Sequence, residues 1–565
     1  MAGGLMNLVA TGQQNVILNG NPSKTFWKAT YKKYTNFGKQ NFRLDYDGTP
    51  SLGLTTESTF NFKVKRYADL LMDCYISINL PTIWSPILPP QPIFNSAGVV
   101  TGYTDWAPYD FQWIDNIGAQ IISRITITCG NQKLQEYSGQ YLLASTQRDF
   151  AGAKLALFYE MIGQVPELND PANAGARVNA YPSAYYTNSP AGAQPSITGR
   201  TLYIPLGAWF NLVTTQAFPL VALQYNELQI SVSFRPINEW FTIRDVMDPT
   251  NNYPVVAPNF NQFYMQFYRF LQTPPDVALG PSSYIDTRTQ WNADVNLNCT
   301  YCFLSNDESE LFAKNEQKYL MKQIYETPYY NITGQNKLDL DSLGMVISWM
   351  FYFQRSDANL RNQWSNYTNW PYNYMPQDVE IAPSEGIYNY ETGATPGGVL
   401  PGKGPGANPD ATLSGLYITG VYNPQNIQYI LVALGILLDG QYRENMLPAG
   451  VYNFIEKYVR TSGKAPPGLY CYNFCLDTDQ MNPAPSGAMN MSRFTNVQFE
   501  FTTIAPPVDP YAQVLTICDP TTGDIIGINK PTWRIYDYNF NMYLMEERVN
   551  MVVFVGGNAG LLYAT

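Results

Sequence analysis

The 565-residue chain contains no histidine. That absence removes Ser-His-Asp and Cys-His nucleophilic machinery and any His-ligated zinc or iron site, and it takes away the commonest general base. Charge is also scarce. Lys, Arg, Asp and Glu make up 14% of the residues, and 34 Lys+Arg against 45 Asp+Glu leave a net charge of −11. Such a surface repels phosphate, so general nucleic-acid affinity is not expected. Apolar runs such as LGMVISWMFYF (343–353) and YILVALGILL (429–438) are too short to cross a bilayer. The opening MAGGLMNLVATGQQNVIL lacks a basic n-region and a continuous apolar stretch, so a cytosolic chain without a secretory leader is expected.

Cysteine is sparse and odd in number, at seven. Cys299-Thr-Tyr-Cys302 has the spacing of half a zinc site, but VNLNCTYCFL reads as a strand, where residues three apart point to opposite faces. Cys471 and Cys475 share a face but lie roughly 13 Å apart along a strand. All four read as buried or half-buried thiols. No metal, no cofactor and no catalytic residue is expected. The Asp307–Glu310 acids and Glu546-Glu547 read as helix-start charges or solvated faces rather than an acid/base pair. GKGPGANPD has no helix after it and is not a phosphate loop.

What the chain does have is period-two alternation, 43 Tyr and 11 Trp. In LMDCYISINL (71–80), YNELQISVSF (225–234) and TNVQFEFT (495–502) every second residue is apolar, the pattern of half-buried antiparallel strands. Helical periodicity is best in NDESELFAKNEQKYL (306–320), with acids first and lysines last. Long Pro/Gly/Asn-rich connections at 84–102, 166–196 and 371–410 join the strands. Loops of that length in compact domains belong to functional surfaces or to mobile decoration. The fold class expected is all-β, two jelly-roll sandwiches with long loops and few short helices. The expected division is an N-terminal arm (1–40), a first jelly roll (41–237), and a connector with the second jelly roll (238–565). No sequence repeat links the halves, so any duplication is structural.

Residues 21–43, NPSKTFWKATYKKYTNFGKQNFR, carry six Lys/Arg, no acid and six aromatic rings. Three readings are open: a single-strand nucleic-acid groove, an amphipathic docking helix, or a plain folded segment. For the helix, Ser23 follows Pro22 as N-cap, Gly38 ends it, Trp27, Tyr31 and Tyr34 fall at i, i+4 and i+7, and Lys28 and Lys32 lie on another face. Sequons occur at Asn298, Asn331, Asn366 and Asn490, and Asn366, in a loop, is the preferred N-glycosylation candidate.

Several segments together resemble the major capsid proteins of the nucleocytoplasmic large DNA viruses. They are NGNPSKTFWKATYKKYTNFG, LYIPLGAWFNLVTTQAFPLVALQYNELQISVSF (202–234), VNLNCTYCFLSNDESELFAKNEQKYLMKQIYE (295–326), YNFCLDTDQMNPAPSGAMNMSRFTNVQFEF (472–501) and NAGLLYAT (558–565). The blocks run end to end in the family's order. The chain departs from the family at Asn226 and at Asn315-Glu316-Gln317, where members often carry His. The resemblance implies two tandem eight-stranded jelly rolls in a structural, non-enzymatic protein of the virion capsid, made and assembled in the host cytoplasm. It further implies a homotrimer with a six-lobed, pseudo-hexagonal outline that tiles an icosahedral shell. Neighbouring capsomers, minor capsid and penton proteins and the inner viral membrane surface would be its partners, with no specific nucleic acid and no small-molecule substrate. It also places the N-terminal arm inward, which makes Trp27, Lys28, Tyr31, Lys32 and Tyr34 candidate anchors. A β-sandwich that binds or cleaves glycans, using Trp/Tyr platforms and a carboxylate pair, is the alternative.

Overall fold

The computed structural model describes residues 12–48, 51–103, 106–189, 192–248, 253–275, 283–373, 428–506 and 538–563, with short pieces at 4, 6, 394–395, 398–399, 515–518 and 525–529. Most of the 371–410 connection lies outside the described residues.

Eight strands build a first sandwich: β1 (Gly38–Leu44), β2 (Ser58–Val64), β3 (Leu70–Leu80), β4 (Ile122–Cys129), β5 (Gln132–Tyr137), β6 (Arg200–Pro205), β7 (Leu228–Phe234) and β8 (Asn296–Phe303). Eight more build a second: β9 (Gln317–Ile332), β10 (Gln335–Asp339), β11 (Met345–Arg355), β12 (Leu431–Leu438), β13 (Gln441–Pro448), β14 (Leu469–Asn473), β15 (Val497–Thr503) and β16 (Phe540–Val555). A last strand, β17 (Asn558–Leu561), hairpins back onto β16.

The first sandwich pairs its strands as β1-β8-β3-β6 and β5-β4-β7-β2, all antiparallel; the second pairs them as β9-β16-β11-β14 and β10-β15-β12-β13. Adding eight to each label of the first order yields the second. The chain is thus two tandem antiparallel jelly rolls of identical winding, a duplication that the residues themselves no longer record.

The expected domain boundary needs correction. A division at residue 237 puts the strand at 296–303 in the second domain, yet it is hydrogen-bonded between β1 and β3, with Phe42 opposite Cys299 and Leu297 opposite Ile76. It is the eighth strand of the first sandwich. Local alternation identifies a strand but not its sheet, which here is set by partners more than 200 residues away.

The alternating segments do bury the expected face. Cys74, Ile76, Ile78 and Leu80 on β3, and Leu228, Ile230, Val232 and Phe234 on β7, all point into the first core. In β11 nearly every residue is buried, which explains its unbroken apolar run: both faces are covered. Trp349, Phe351 and Phe353 face the second core, while Met350 and Tyr352 join the core of the first sandwich. The first hydrophobic core therefore continues across the junction between the sandwiches.

Helices are few and lie outside the sheets. They include α1 (Gln13–Asn19), α2 (Gly139–Asp149), α3 (Gly152–Ile162) and α4 (Asn306–Lys314). The last has Asp307 and Glu308 in its first turn and Lys314 in its last, as its charge order requires. It ends before residue 320 because the chain from Gln317 onward enters β9.

On β15, Val497, Phe499 and Phe501 are buried while Gln498 and Glu500 are partly exposed. Phe499→Ala should destabilise the protein by about 3–5 kcal/mol, the usual cost for a buried Phe. Glu500→Ala removes a bond from the Tyr442 hydroxyl at 2.8 Å and should cost about 0.5 kcal/mol or less. Denaturant titration of both variants measures this, and equal costs would refute the register.

Candidate functional site: an inter-sandwich lock and an exposed arm

Helix α2 starts at Ser138, whose hydroxyl caps the Tyr141 N–H at 3.1 Å. Gly139 is required there, because a Cβ would run into the Ala119 carbonyl oxygen. The helix GQYLLASTQRD is half polar, yet all its residues are buried. A polar helix can be buried only if its side chains find partners. Ser145 and Gln147 find them nearby, on the Leu142 carbonyl and the Tyr159 hydroxyl, while Tyr141, Arg148 and Asp149 find them on the second sandwich.

Arg148 is the centre. Its Nε and Nη2 each donate to the Asp149 carboxylate at 2.7 Å, Nη2 also reaches Glu547 Oε1 on β16 at 2.9 Å, and Nη1 donates to Ser348 Oγ on β11 at 3.0 Å. Glu547 further accepts from the Tyr141 hydroxyl and from Ser348 Oγ, both at 2.7 Å, and Asp149 accepts from Thr478 Oγ1 at 2.6 Å. Lys322 Nζ on β9 stands 4.0 Å from Glu547. Arg148, Asp149 and Glu547 have fully buried side chains. Two cations face two carboxylates, so the buried charge is balanced.

Burial lifts the Asp149 carboxyl above the ordinary aspartate value in spite of Arg148. Burial also opposes ionisation of Glu547, but Arg148, Lys322 and the hydrogen bonds outweigh it and hold that carboxyl down at about 2. Around this centre, Ser138 Oγ donates to Glu326 Oε1 at 2.9 Å, Gln120 Nε2 to Ser365 Oγ at 3.0 Å, and Gln135 Nε2 to the Lys322 carbonyl at 2.9 Å. The Gly463 N–H meets the Arg148 carbonyl at 2.7 Å, an approach that a Cβ would block by striking the Gln147 carbonyl oxygen. The C-terminal hairpin closes the far side: the Gln224 and Tyr225 N–H groups donate to the Gly557 carbonyl, and Phe218 meets Phe554 edge-on at 5.0 Å.

Glu546 and Glu547 thus correct the reading of a solvated face. Adjacent strand residues point to opposite sides, so Glu547 enters the lock while Glu546 turns to the second core, accepting from Trp349 Nε1 at 2.6 Å and pairing with Arg548. The sequence signal available was Glu-Glu-Arg inside an otherwise apolar strand. Arg148 and Asp149 gave no signal, because nothing local distinguishes them from surface residues.

The arm also differs from expectation. Helix α1 lies upstream at 13–19, and residues 21–37 form bends and irregular chain, so there is no helix from Ser23 to Gly38. Thr25, Thr30 and Thr35 are β-branched, the charges are all of one sign, and none of the described residues covers the rings. An isolated helix of this length is marginal under such conditions. Trp27 is 95% exposed and Tyr31 85%; Tyr34, Phe26, Lys28 and Lys32 are exposed as well. Ordered pairing begins at Gly38 in β1.

Asn366 is corrected too. It is 4% exposed, its Nδ2 donates to the Trp370 carbonyl at 2.9 Å, and its Oδ1 accepts from Thr368. The side chain is a turn support, and no glycan can reach it. Cys299 and Cys302 are buried as expected, Cys299 in the main core and Cys302 in a separate cluster with Leu70 and Ala217.

Residues 25–271 match the family "Major capsid protein N-terminus", and residues 308–546 match "Large eukaryotic DNA virus major capsid protein". The chain is 24% identical to the major capsid protein of Phaeocystis pouchetii virus, across 96% of this chain and 97% of that one. It is 24% identical to that of Paramecium bursaria Chlorella virus 1, across the full length of both. Among solved structures, the Faustovirus major capsid protein matches with a TM-score of 0.58 at 13% identity, covering 94% of this chain and 92% of that one. A PBCV-1 capsid model matches with a TM-score of 0.56 at 17% identity, covering 96% and 100%.

Proposed function

From the premise that the chain belongs to the major capsid proteins of the large eukaryotic DNA viruses, structural components of the virion capsid and not enzymes, we propose that it works as a homotrimer. Three copies form one pseudo-hexagonal capsomer. The observation that carries this reading is the repeated winding order of two sandwiches held together by a buried lock. Each chain offers two similar lobes in a fixed relation, so threefold symmetry generates six lobes, and closed symmetric assembly uses the same surfaces on every copy. Each lobe takes all eight of its strands from one continuous stretch, residues 38–303 and 317–555.

We infer further that capsomers meet their neighbours, minor capsid proteins and penton proteins around the shell after synthesis in the host cytoplasm. Residues 21–37, with Trp27, Lys28, Tyr31, Lys32 and Tyr34, face inward as an anchor for minor proteins or the inner membrane surface. Their exposed rings and unopposed cations support that reading over a plain folded segment. Native mass measurement tests the trimer: the expected species has three times the 63.7 kDa chain mass. A persistent monomer at assembly concentrations would sink it.

A further inference from the structure

Two of the buried thiols are neighbours. Cys74 on β3 and Cys299 on β8 are direct cross-strand partners, their Sγ atoms are 3.2 Å apart, and they are 3% and 1% exposed. We propose that this pair is a latent disulfide site, closed when the finished shell leaves the reducing cytosol, and that the bond locks the last strand of the first sandwich into its sheet.

The backbone is already suited to the bond. Directly opposed residues on antiparallel strands have Cα atoms about 4.5–5.5 Å apart, inside the span of about 4.4–6.8 Å that a disulfide bridges. The sulfurs need to approach by little more than about 1 Å to reach the bonded distance of about 2.05 Å. The ladder shifts register between Cys299 and Tyr301, where Met72 and Asp73 of β3 stand opposite Thr300 alone, so β3 carries a bulge next to the pair, where the sheet is easiest to adjust.

The position gives the bond a purpose. The two cysteines are 225 residues apart, and the chain between them includes strands β4 to β7. Strand β8 returns to the sheet only after the long connector that follows β7. A covalent tie at this point closes the stretch that carries β4 to β7 into one loop and removes open conformations from its unfolded ensemble. The other described cysteines lack such a cross-strand partner: Cys302 sits in its own cluster, and Cys129, Cys471 and Cys475 are separately buried.

The chemistry balances with a low-molecular-weight disulfide such as oxidised glutathione. One cysteine thiolate attacks it, forming a mixed disulfide and releasing one glutathione thiolate. The second cysteine thiolate then attacks the protein sulfur of that mixed disulfide, the Sγ–Sγ bond forms and the second glutathione leaves. Two protein thiols lose two protons and two electrons, and the reagent becomes two thiols. Burial pushes the Cys74 thiol up, so exchange is slow and proceeds through local opening at the bulge.

The test uses the folded full-length protein, held with oxidised glutathione at mildly alkaline pH, then alkylated in denaturant and mapped by peptide mass spectrometry. The expected result is a peptide pair joined through Cys74 and Cys299, lighter by two hydrogens than the two thiol peptides combined. The oxidised form should also melt several degrees higher, a gain reversed by dithiothreitol. Alkylation of both residues after prolonged oxidation would overturn the proposal, as would linkage through a different pair. Because the mapping is done on the wild-type chain, it does not depend on a variant folding. Cys299→Ser, or Cys74→Ala if that variant does not fold, should abolish the melting gain, and a gain that survives in the variant would equally count against the site.

Discussion

Arg148→Met should lower the unfolding free energy by about 3–5 kcal/mol, the usual cost of removing one member of a buried ion pair. The loss comes less from the attraction forgone than from what stays behind. Glu547 and Asp149 would remain in the junction as buried carboxylates, with Lys322 4.0 Å from Glu547 as the nearest compensating charge. Met fills similar volume but offers no donors. Restoring neutrality should restore much of the stability, so adding Asp149→Asn to the variant, which leaves Lys322 facing Glu547, is expected to recover a good part of the loss.

Acid supplies a second readout with a definite sign. In the parent chain Glu547 is held at about 2, below its ordinary 4.5, so its contribution is present above pH 4.5 and is lost as pH falls towards 2. Without Arg148, burial is opposed only by Lys322 and the remaining hydrogen bonds, so that carboxyl should rise, and protonation would then relieve the variant. The stability gap between parent and Arg148→Met should therefore narrow from pH 7 to pH 4, followed by thermal melting. A gap that stays constant would mean that packing, and not charge, holds the lock. Because the network ties α2 to β9, β11 and β16, the variant should also melt in two steps where the parent melts in one.

The contrast between strands and lock shows what a sequence carries locally. Ile230 and Val232 announce their strand because a sheet with one wet face imposes period two on neighbouring residues. The membership of β8 is invisible at that range, since Cys299 finds Cys74 across 225 positions. Glu547 and Arg148 are 399 residues apart, and each looks like a surface charge until the fold brings them together. The arm misleads in the opposite way. Its ring spacing is that of an amphipathic helix, but amphipathicity forms a helix only against a surface, and the described residues supply none. Asn366 sits in a loop as expected, yet that loop is folded inward and held by Trp370.

Removing residues 1–37 should leave a folded protein of unchanged melting temperature that assembles poorly into shells. The cut falls just before β1, whose pairing with β8 begins at Gly38, so no sheet loses a strand. Trp27, Tyr31 and Tyr34 contribute almost nothing to the chain's own core because they are largely exposed. Their apolar area is available to a partner, and burying a ring of that size is worth roughly 2–3 kcal/mol. Trp27→Ala should accordingly weaken shell assembly or minor-protein recruitment roughly thirtyfold or more at any ionic strength, with a change of about 0.5 kcal/mol or less in the subunit's own stability. Lys28→Gln and Lys32→Gln should matter mainly at low salt, since surface charges are screened within about 8 Å at physiological ionic strength. Sedimentation of assembled particles across a salt series separates the two effects. A nucleic-acid role predicts instead that a peptide of residues 21–43 binds single strands with a steep salt slope. Full-yield shells with normal minor-protein content from the shortened chain would end the anchor reading, because the rings and lysines proposed to make the contact would then be absent from a shell that assembles without them.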